Sequence, residues 1–381
     1  MRSSGEVYDI QDTEYMKNLL NLIKKSDPVL ISSVILILLI GCLTLYSASY
    51  QRSLITGKSY ILTQVCWIVI GFIVCFVVIS VPYKKWIAAG PYLYAAGLLL
   101  LIAVLFFGSV RGGARRWFTV AGVSFQPSEM IRFGLVLILS SYLGQRLNEK
   151  HSYKLIILGF LMAILPAILV LKQPNLGIAV SFLFITGVML WVWGLKWKHF
   201  LTLLISGIVS VPLIWPFLRE YQKQRIFAFL NPEKDPLGSG YSIIQSRIAI
   251  GSGEFWGRGW MHGSQNRLNF VPEKHTDFIF SVLSEEFGFL GASVLILLFV
   301  IFFYRCIKIA LQTHDASARL LVFGMASSIL YQLVINISMT IGLVPVVGIP
   351  LPLISYGGSN MLVVLAGIGM ILNISARRTV F

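Results

Sequence analysis

Long apolar segments separated by polar loops run through almost the whole chain. A bilayer core about 30 Å thick needs about 20 residues of helix to cross it. The pattern predicts an all-α polytopic membrane protein with about ten transmembrane helices, at residues 29–47, 62–81, 92–110, 130–143, 155–171, 177–195, 200–218, 289–306, 320–340 and 360–376. The fourth of these is the shortest, and Glu129 and Arg132 stand at its entrance.

Two other segments depart from this regular alternation. The stretch 219–277 is nearly sixty residues long, too long for a bare connection, and we expect it to carry helices and form a lid or wall. The stretch 342–359 has no charge but three prolines and four glycines, so it cannot remain regular helix. We interpret 1–28 as a cytoplasmic N-terminal segment and 29–381 as a single transmembrane domain, with 219–277 as its extracytoplasmic loop and catalytic segment.

The distribution of basic residues over the short loops predicts the orientation. With ten helices, one side holds sixteen Lys and Arg residues and the other only six. Because cytoplasmic loops carry the excess of Lys and Arg, both termini are predicted to be cytoplasmic and the long loop to face outward. The first 28 residues show no cleavable signal pattern, so the first helix should remain in the mature protein.

Composition excludes several functional classes. The chain is 56% hydrophobic and only 12% charged, with a net charge of +15. Membrane orientation explains about half of the basic residues, so nucleic acid is not the expected partner. The four cysteines lie in apolar segments without zinc-binding spacing, and the sequence has no phosphate-binding loop. Neither a disulfide framework nor an ATP-driven mechanism is therefore expected.

The densest group of ionisable residues lies at 267–288. Lys274, His275 and Asp277 come just before an apolar segment, and Glu285 and Glu286 follow within about two helical turns. Charged groups are expensive near a bilayer, so such a group needs a functional reason. We expect the chemistry of the protein to lie here.

A second polar block precedes the fourth helix. Arg115 and Arg116 are suited to an anionic head group or a diphosphate, although long basic side chains also anchor proteins at membrane surfaces. Glu129 and Arg132 are three residues apart and share a helix face, which suits either a buried ion pair or a catalytic role. The polar stretch 172–177 reads as a simple turn.

Several motifs resemble those of the SEDS family (shape, elongation, division and sporulation). They are the cluster VPEKHTDFIFSVLSEEFG at 271–288, the block from Arg116-Trp117 to Gln126-Pro-Ser-Glu129, the turn Gln173-Pro174, and a final segment with Asn336, Gly342, Leu343, Pro345, Gly348, Leu351, Pro352 and SYGGS at 355–359. Lys274 and the run at 231–238 resemble the rod-shape branch (RodA-like) more than the division branch (FtsW). At position 175 the family usually has an acid, whereas this chain has Asn175.

The resemblance implies a peptidoglycan glycosyltransferase of the bacterial cytoplasmic (inner) membrane that polymerises lipid II at the outer face during cell elongation. It also implies a divalent cation (Mg or Mn), a class B penicillin-binding protein and other elongation-complex membrane proteins as partners. Inverting transfer requires a carboxylate base and cationic groups for the leaving diphosphate. We expect Asp277 to be the base, or to hold the metal. We expect the substrate to be bound by Arg115, Arg116, Glu129, Lys274, Ser355 and Tyr356. Glu129 is also a second candidate metal ligand, beside Asp277.

Two alternatives remain open from the sequence. A lipid II flippase would also suit ten helices with a broken final connection, and Glu129 and Arg132 could line its path. Against transport, the charged groups gather on one face of the predicted membrane domain. A noncatalytic scaffold for the penicillin-binding protein is the other alternative, and it gives no reason for an acid beside several bases.

Overall fold

The computed structural model describes residues 25–111, 114–120, 123–146, 153–196 and 220–377 without 237 and 239, and also 198, 201, 202, 205 and 216. Helices dominate this part of the chain. They are α1 (Pro28–Thr56), α2 (Tyr60–Ser80), α3 (Tyr83–Phe107), α4 (Pro127–Gly144), α5 (Tyr153–Lys172), α6 (Leu176–Trp193), α7 (Glu220–Leu230), α8 (Tyr241–Ser252), α9 (Ser264–Arg267), α10 (Ile279–Leu311), α11 (Ala316–Thr340) and α12 (Gly358–Arg377). A short 3₁₀ helix spans Pro232–Lys234.

Eight of the described helices are long and apolar enough to cross a membrane, namely α1, α2, α3, α5, α6, α10, α11 and α12. The chain is therefore a multi-pass membrane protein, as predicted. The predicted fourth segment is also a helix, α4, which begins at Pro127 in the first-turn position that suits proline. The predicted seventh segment, 200–218, lies largely outside the described residues, so the count of ten stays a prediction.

A small antiparallel sheet joins α3 to α4 and was not predicted. Its strands β1 (Ser109–Arg111), β2 (Ala114–Val120) and β3 (Val123–Phe125) follow one another in the order β1-β2-β3. Ser109 pairs with Trp117 across β1 and β2, and Phe118 pairs with Phe125 across β2 and β3. Strands of three to seven residues leave little periodic signal, so the sequence pattern did not reveal them.

The helices differ in how deeply they lie in the bundle. Of the most apolar stretch of α12, 83% of the residues are buried, and of α11 67%, whereas only 22% are buried in α2. α11 and α12 are therefore central and α2 is peripheral. Several polar groups inside the bundle form hydrogen bonds between helices, which lowers the cost of placing them in hydrocarbon. Asn373 on α12, for example, donates to the carbonyl of Val78 on α2 at 2.7 Å.

We call the face of the bundle that carries the α1–α2 connection, the sheet and residues 220–278 the long-loop face. The long segment there carries α7, α8 and α9, which confirms the prediction that it contains helices. Residues 341–357, between α11 and α12, are free of regular helix, also as predicted. Helix α10 begins at Ile279, ten residues before the predicted apolar segment.

The early start of α10 is possible because the helix is broken at Gly288, whose φ of 64° and ψ of −163° are not helical. The segment 254–259 lies against the break and satisfies its backbone groups. Arg258 N donates to Glu285 O at 3.0 Å, and Phe289 N donates to Glu254 O at 2.9 Å. A side chain at position 288 would meet the backbone of Phe255, so glycine is required there.

Candidate active site

Asp277 lies in a tight turn just before α10. Its backbone N–H donates to Glu273 O at 3.1 Å, as does that of Thr276. The side-chain amide of Asn336, on α11, donates both to Asp277 O at 2.9 Å and to Ile349 O at 2.7 Å. A buried amide thus joins the Asp277 turn to the irregular segment 341–357.

The two predicted residues Ser355 and Tyr356 bind the same turn. The Ser355 hydroxyl donates to Thr276 O at 2.5 Å and accepts from Leu351 N at 2.8 Å. The backbone N–H of Tyr356 donates to His275 O at 2.9 Å. Three successive carbonyls, those of His275, Thr276 and Asp277, are therefore fixed by the segments around the turn. Ser355 is buried and acts on the backbone, whereas the Tyr356 ring is partly exposed.

The Asp277 carboxylate is only partly exposed, and burial raises the pKa of Asp277 to about 6. The negative charge of Glu273 adds to this effect, while Arg225 and Arg116 oppose it. Within the described residues, its carboxylate oxygens receive no hydrogen bond. A carboxylate that is ionised at neutral pH, but more basic than a free one, is suited to accept a proton.

Arg116 and Arg115 lie next to each other on β2, so their side chains point to opposite faces of the strand. Arg116 turns toward the Asp277 side, where its Nε donates to Gln173 O at 2.7 Å and its Nη2 donates to Pro174 O. A guanidinium carries a permanent positive charge and five N–H donors, which suits an anion such as a phosphate. Arg115 is exposed and points instead to the end of α3, where its Nη1 donates to Phe106 O at 3.3 Å. The structure thus separates the predicted pair.

Two further arginines lie near the Asp277 turn, and neither was predicted as a site residue. Arg225 on α7 donates to Val346 O at 3.0 Å, and its charge acts on Asp277. Arg52, at the end of α1, lies 3.3 Å from His275 Nε2. Each comes from a segment remote from Asp277 in sequence. Their position on the outward side under the positive-inside rule was the only available signal.

His275 joins Arg52 to an aromatic cluster. Its ring lies 5.4 Å from that of Tyr60, and the Tyr60 ring lies 5.3 Å from that of Tyr356. Burial lowers the pKa of His275, Glu273 opposes this effect, and the positive charges of Arg52 and Lys274 add to it. The neutral imidazole that results can accept a hydrogen bond from the Arg52 guanidinium.

Lys274 does not join this group. Its side chain is buried, and its ammonium donates to Asn266 O, close to Glu285 and Glu286 on α10. Burial lowers the pKa of Lys274 to about 8, and the two glutamates oppose this effect. The predicted charged cluster is thus divided into two environments, with Asp277 in one and Lys274 in the other.

Glu129 belongs to a third environment. It forms a buried ion pair with Arg132 one turn further along α4. Arg132 also donates to the side-chain oxygen of Gln332 at 2.8 and 3.0 Å, in the amide orientation that satisfies both groups. This placement matches the structural alternative considered for Glu129. Its predicted role as a metal ligand stays a prediction.

A divalent cation would find few protein ligands near Asp277. The described residues contain no group of three or more His, Cys, Asp or Glu side chains arranged to hold a metal. Mg²⁺, however, is commonly bound through one or two carboxylates together with substrate phosphates. The partly exposed Asp277 carboxylate fits that arrangement, in which the substrate supplies the remaining oxygens.

Asn175, which stands where the SEDS pattern usually has an acid, is buried at the start of α6. Its side-chain oxygen accepts from Ile178 N at 3.3 Å, the usual bond of a helix N-cap. An asparagine serves this purpose as well as an aspartate.

Comparison with known proteins agrees with this architecture. The chain is 36% identical over 357 residues to the peptidoglycan glycosyltransferase MrdB of Escherichia coli K12, covering 92% of this chain and 94% of the relative. It is also 36% identical over 367 residues to the stage V sporulation protein E of Bacillus subtilis, covering 92% and 98% of the two chains.

Solved structures give the same result. A chain in a study of polymerization and crosslinking by a peptidoglycan synthase complex aligns with a TM-score of 0.79 at 34% identity, covering 93% of this chain and 98% of the other. The rod shape determining protein RodA of Thermus thermophilus aligns with a TM-score of 0.67 at 29% identity, covering 93% and 97%. A family model described as cell cycle protein, for FtsW, RodA and SpoVE, matches residues 28–380. The chain therefore belongs to the FtsW, RodA and SpoVE family, which is the predicted SEDS family.

Proposed function

We propose that this chain is a peptidoglycan glycosyltransferase of the rod-shape branch, which polymerises lipid II into glycan strands during cell elongation. The observation that carries the proposal is the partly buried Asp277, with its pKa raised to about 6, close to the positive charges of Arg116 and Arg225. A carboxylate base and cationic groups are the two requirements of inverting glycosyl transfer from a diphosphate. The name and 36% identity of the Escherichia coli relative support the same activity.

Asp277 acts as the general base. Its carboxylate takes the proton from the attacking sugar hydroxyl, and the hydroxyl oxygen bonds to the anomeric carbon from the face opposite the diphosphate. The bond from that carbon to the diphosphate oxygen breaks, its electron pair leaves with the diphosphate, and the configuration inverts. With a pKa of about 6, most Asp277 carboxylates are ionised at pH 7.

The leaving diphosphate is bound by arginines on the long-loop face of the protein. The positive charge of Arg116 acts at Asp277, and its planar guanidinium suits phosphate oxygens. Arg52 is exposed beside His275, and Arg225 is exposed on α7, so both can join it. The partly exposed Tyr356 ring offers an apolar surface for a sugar.

A divalent cation, Mg²⁺ or Mn²⁺, is the expected cofactor, and holding it is the competing role for Asp277. In that role the carboxylate and the substrate's diphosphate oxygens would hold the cation, which would supply charge neutralisation as the diphosphate departs. In either role, the chain's own residues bind and orient the substrate.

We further propose that the long-loop face is extracytoplasmic and that both termini lie in the cytoplasm of a bacterium, with the chain in its inner membrane. The excess of Lys and Arg on the opposite short loops supports this orientation. A class B penicillin-binding protein and other membrane proteins of the elongation complex are the expected partners. The structural similarity to a chain of a peptidoglycan synthase complex supports such an assembly.

The test is polymerisation of lipid II by the purified chain, with and without Mg²⁺ or Mn²⁺ and the penicillin-binding protein. We expect Asp277→Asn to lower the rate by about 10² or more while the protein remains folded. Glu233→Gln, an exposed acid on the same long segment, is the matched control and should retain the wild-type rate. Wild-type polymerisation by a folded Asp277→Asn variant would contradict the assignment.

A further inference from the structure

Five buried polar residues form a network beside the Asp277 turn, which we call the lysine network. Its members are Ser47 on α1, Asn266 on α9, Lys274 in the turn, and Glu285 and Glu286 on α10. Each of these residues is at most 5% exposed. Burying charged side chains is costly unless they are paired and hydrogen-bonded, so we ask which contacts stabilise the three charged residues of this network.

The two glutamates join α10 to the preceding segments. Glu285 accepts from the backbone N–H groups of Gln265 and Asn266, at 2.8 and 3.1 Å. Glu286 accepts from the Ser47 hydroxyl and from Asn266 Nδ2, the latter at 2.9 Å. Three parts of the chain that are far apart in sequence thus meet at two carboxylates.

Lys274 adds the Asp277 turn to this junction. Its ammonium donates to Asn266 O and lies in the field of both glutamates. It supplies one positive charge against two negative ones, so its removal would leave two buried carboxylates uncompensated. The carbonyls of residues 275, 276 and 277 are held from the other side by Tyr356, Ser355 and Asn336. The turn is therefore fixed on both sides, and Lys274 provides the attachment to α1, α9 and α10.

We propose that Lys274 is a positioning residue: its buried ammonium binds the lysine network and holds the turn so that the Asp277 carboxylate faces the arginines. This role differs from the diphosphate binding expected from the sequence, because the ammonium points into the protein. The inference deepens the proposed function and rests on it for its kinetic test, whereas its structural test does not. A displacement of about 1 Å in a catalytic group can lower a rate by about 10².

The kinetic test compares Lys274→Met with the double variant Lys274→Met/Glu286→Gln. We expect Lys274→Met to lower kcat by about 10-fold or more and to leave KM for lipid II within about twofold, because a positioning residue acts on the chemical step. In the double variant the lysine network has the same net charge as in the wild type. We therefore expect the double variant to recover at least about half of the decrease in log kcat that Lys274→Met causes. Lys234→Met, an exposed lysine on the long segment, is the matched control and should have no effect.

The structural test measures hydrogen exchange of the backbone amides in residues 274–281 of the same variants. Thr276, Asp277 and Phe278 all donate to Glu273 O, so loosening of the turn should accelerate their exchange. We expect faster exchange in Lys274→Met, recovery in the double variant, and unchanged exchange in α3. If Lys274→Met does not fold, Lys274→Arg and the double variant carry both measurements.

Two results would overturn the inference. One is a higher KM for Lys274→Met with kcat unchanged, which would make Lys274 a direct substrate ligand. The other is unchanged exchange across residues 274–281 in folded Lys274→Met. A wild-type protein without polymerase activity would contradict the proposed function alone, because the exchange measurement needs no turnover.

Discussion

Ionised Asp277 should cost the folded protein stability, and Asp277→Asn should therefore stabilise it while removing activity. In the folded chain the pKa of Asp277 is raised from 3.8 to about 6, mainly by burial. The penalty for ionisation is therefore complete above about pH 6. It shrinks as the pH falls below about 6, and it disappears only below about 3.8, where the unfolded chain also binds the proton. A change in pKa of this size corresponds to about 3 kcal/mol.

Solvent screening reduces this figure, because Asp277 is partly exposed. We expect Asp277→Asn to be more stable than the wild type by about 1 kcal/mol at pH 7.5. At pH 5 the folded carboxyl is mostly protonated but the unfolded one is still mostly ionised, so the difference should fall to about half of its value at pH 7.5. Asparagine has almost the same volume as aspartate, so packing contributes little to the comparison.

The assay is thermal unfolding of both proteins in the same detergent, at pH 7.5 and at pH 5. Glu233→Gln serves as the control, because this exposed acid should give no stabilisation at either pH. An Asp277→Asn variant that is less stable than the wild type at pH 7.5 would refute the reasoning. So would a difference of equal size at both pH values, because it could not arise from ionisation.

Three further predictions use the same protein. The wild-type rate of polymerisation should fall about tenfold per pH unit below about pH 6, since protonated Asp277 cannot accept a proton. A rate that does not change between pH 5 and pH 7 would exclude Asp277 as the base. Arg116→Gln should lower kcat/KM for lipid II by about 10-fold or more, whereas Arg115→Gln, on the opposite face of β2, should change it by less than about twofold. Equal effects of the two would indicate membrane anchoring alone. The chain in detergent micelles, with cation and partner, should make polymer although no second compartment exists; lipid II translocation in sealed vesicles without polymer under any condition would instead establish a flippase.

The length of the apolar segments predicted most of the membrane helices, because each one needs about 20 apolar residues regardless of what it packs against. The start of α10 was not predicted, because it depends on contacts with distant parts of the chain. Residues 279–288 contain Glu285 and Glu286, and their helix is stabilised by partners such as Ser47 that only the folded chain brings together. The break at Gly288 is likewise satisfied by segment 254–259, more than 25 residues earlier in the chain.

The candidate site shows the same division between local and long-range information. Asp277 could be selected from sequence, because a carboxylate at a membrane surface is costly wherever it packs. Its neighbours could not be ranked by proximity in sequence: Lys274, three residues away, turns into the lysine network, whereas Arg116, from another segment, acts on the carboxylate. In the Asp277 turn, hydrogen bonds to other parts of the chain decide on which side of the turn each side chain lies. The sequence therefore identifies the acid, and the fold selects the cations that serve it.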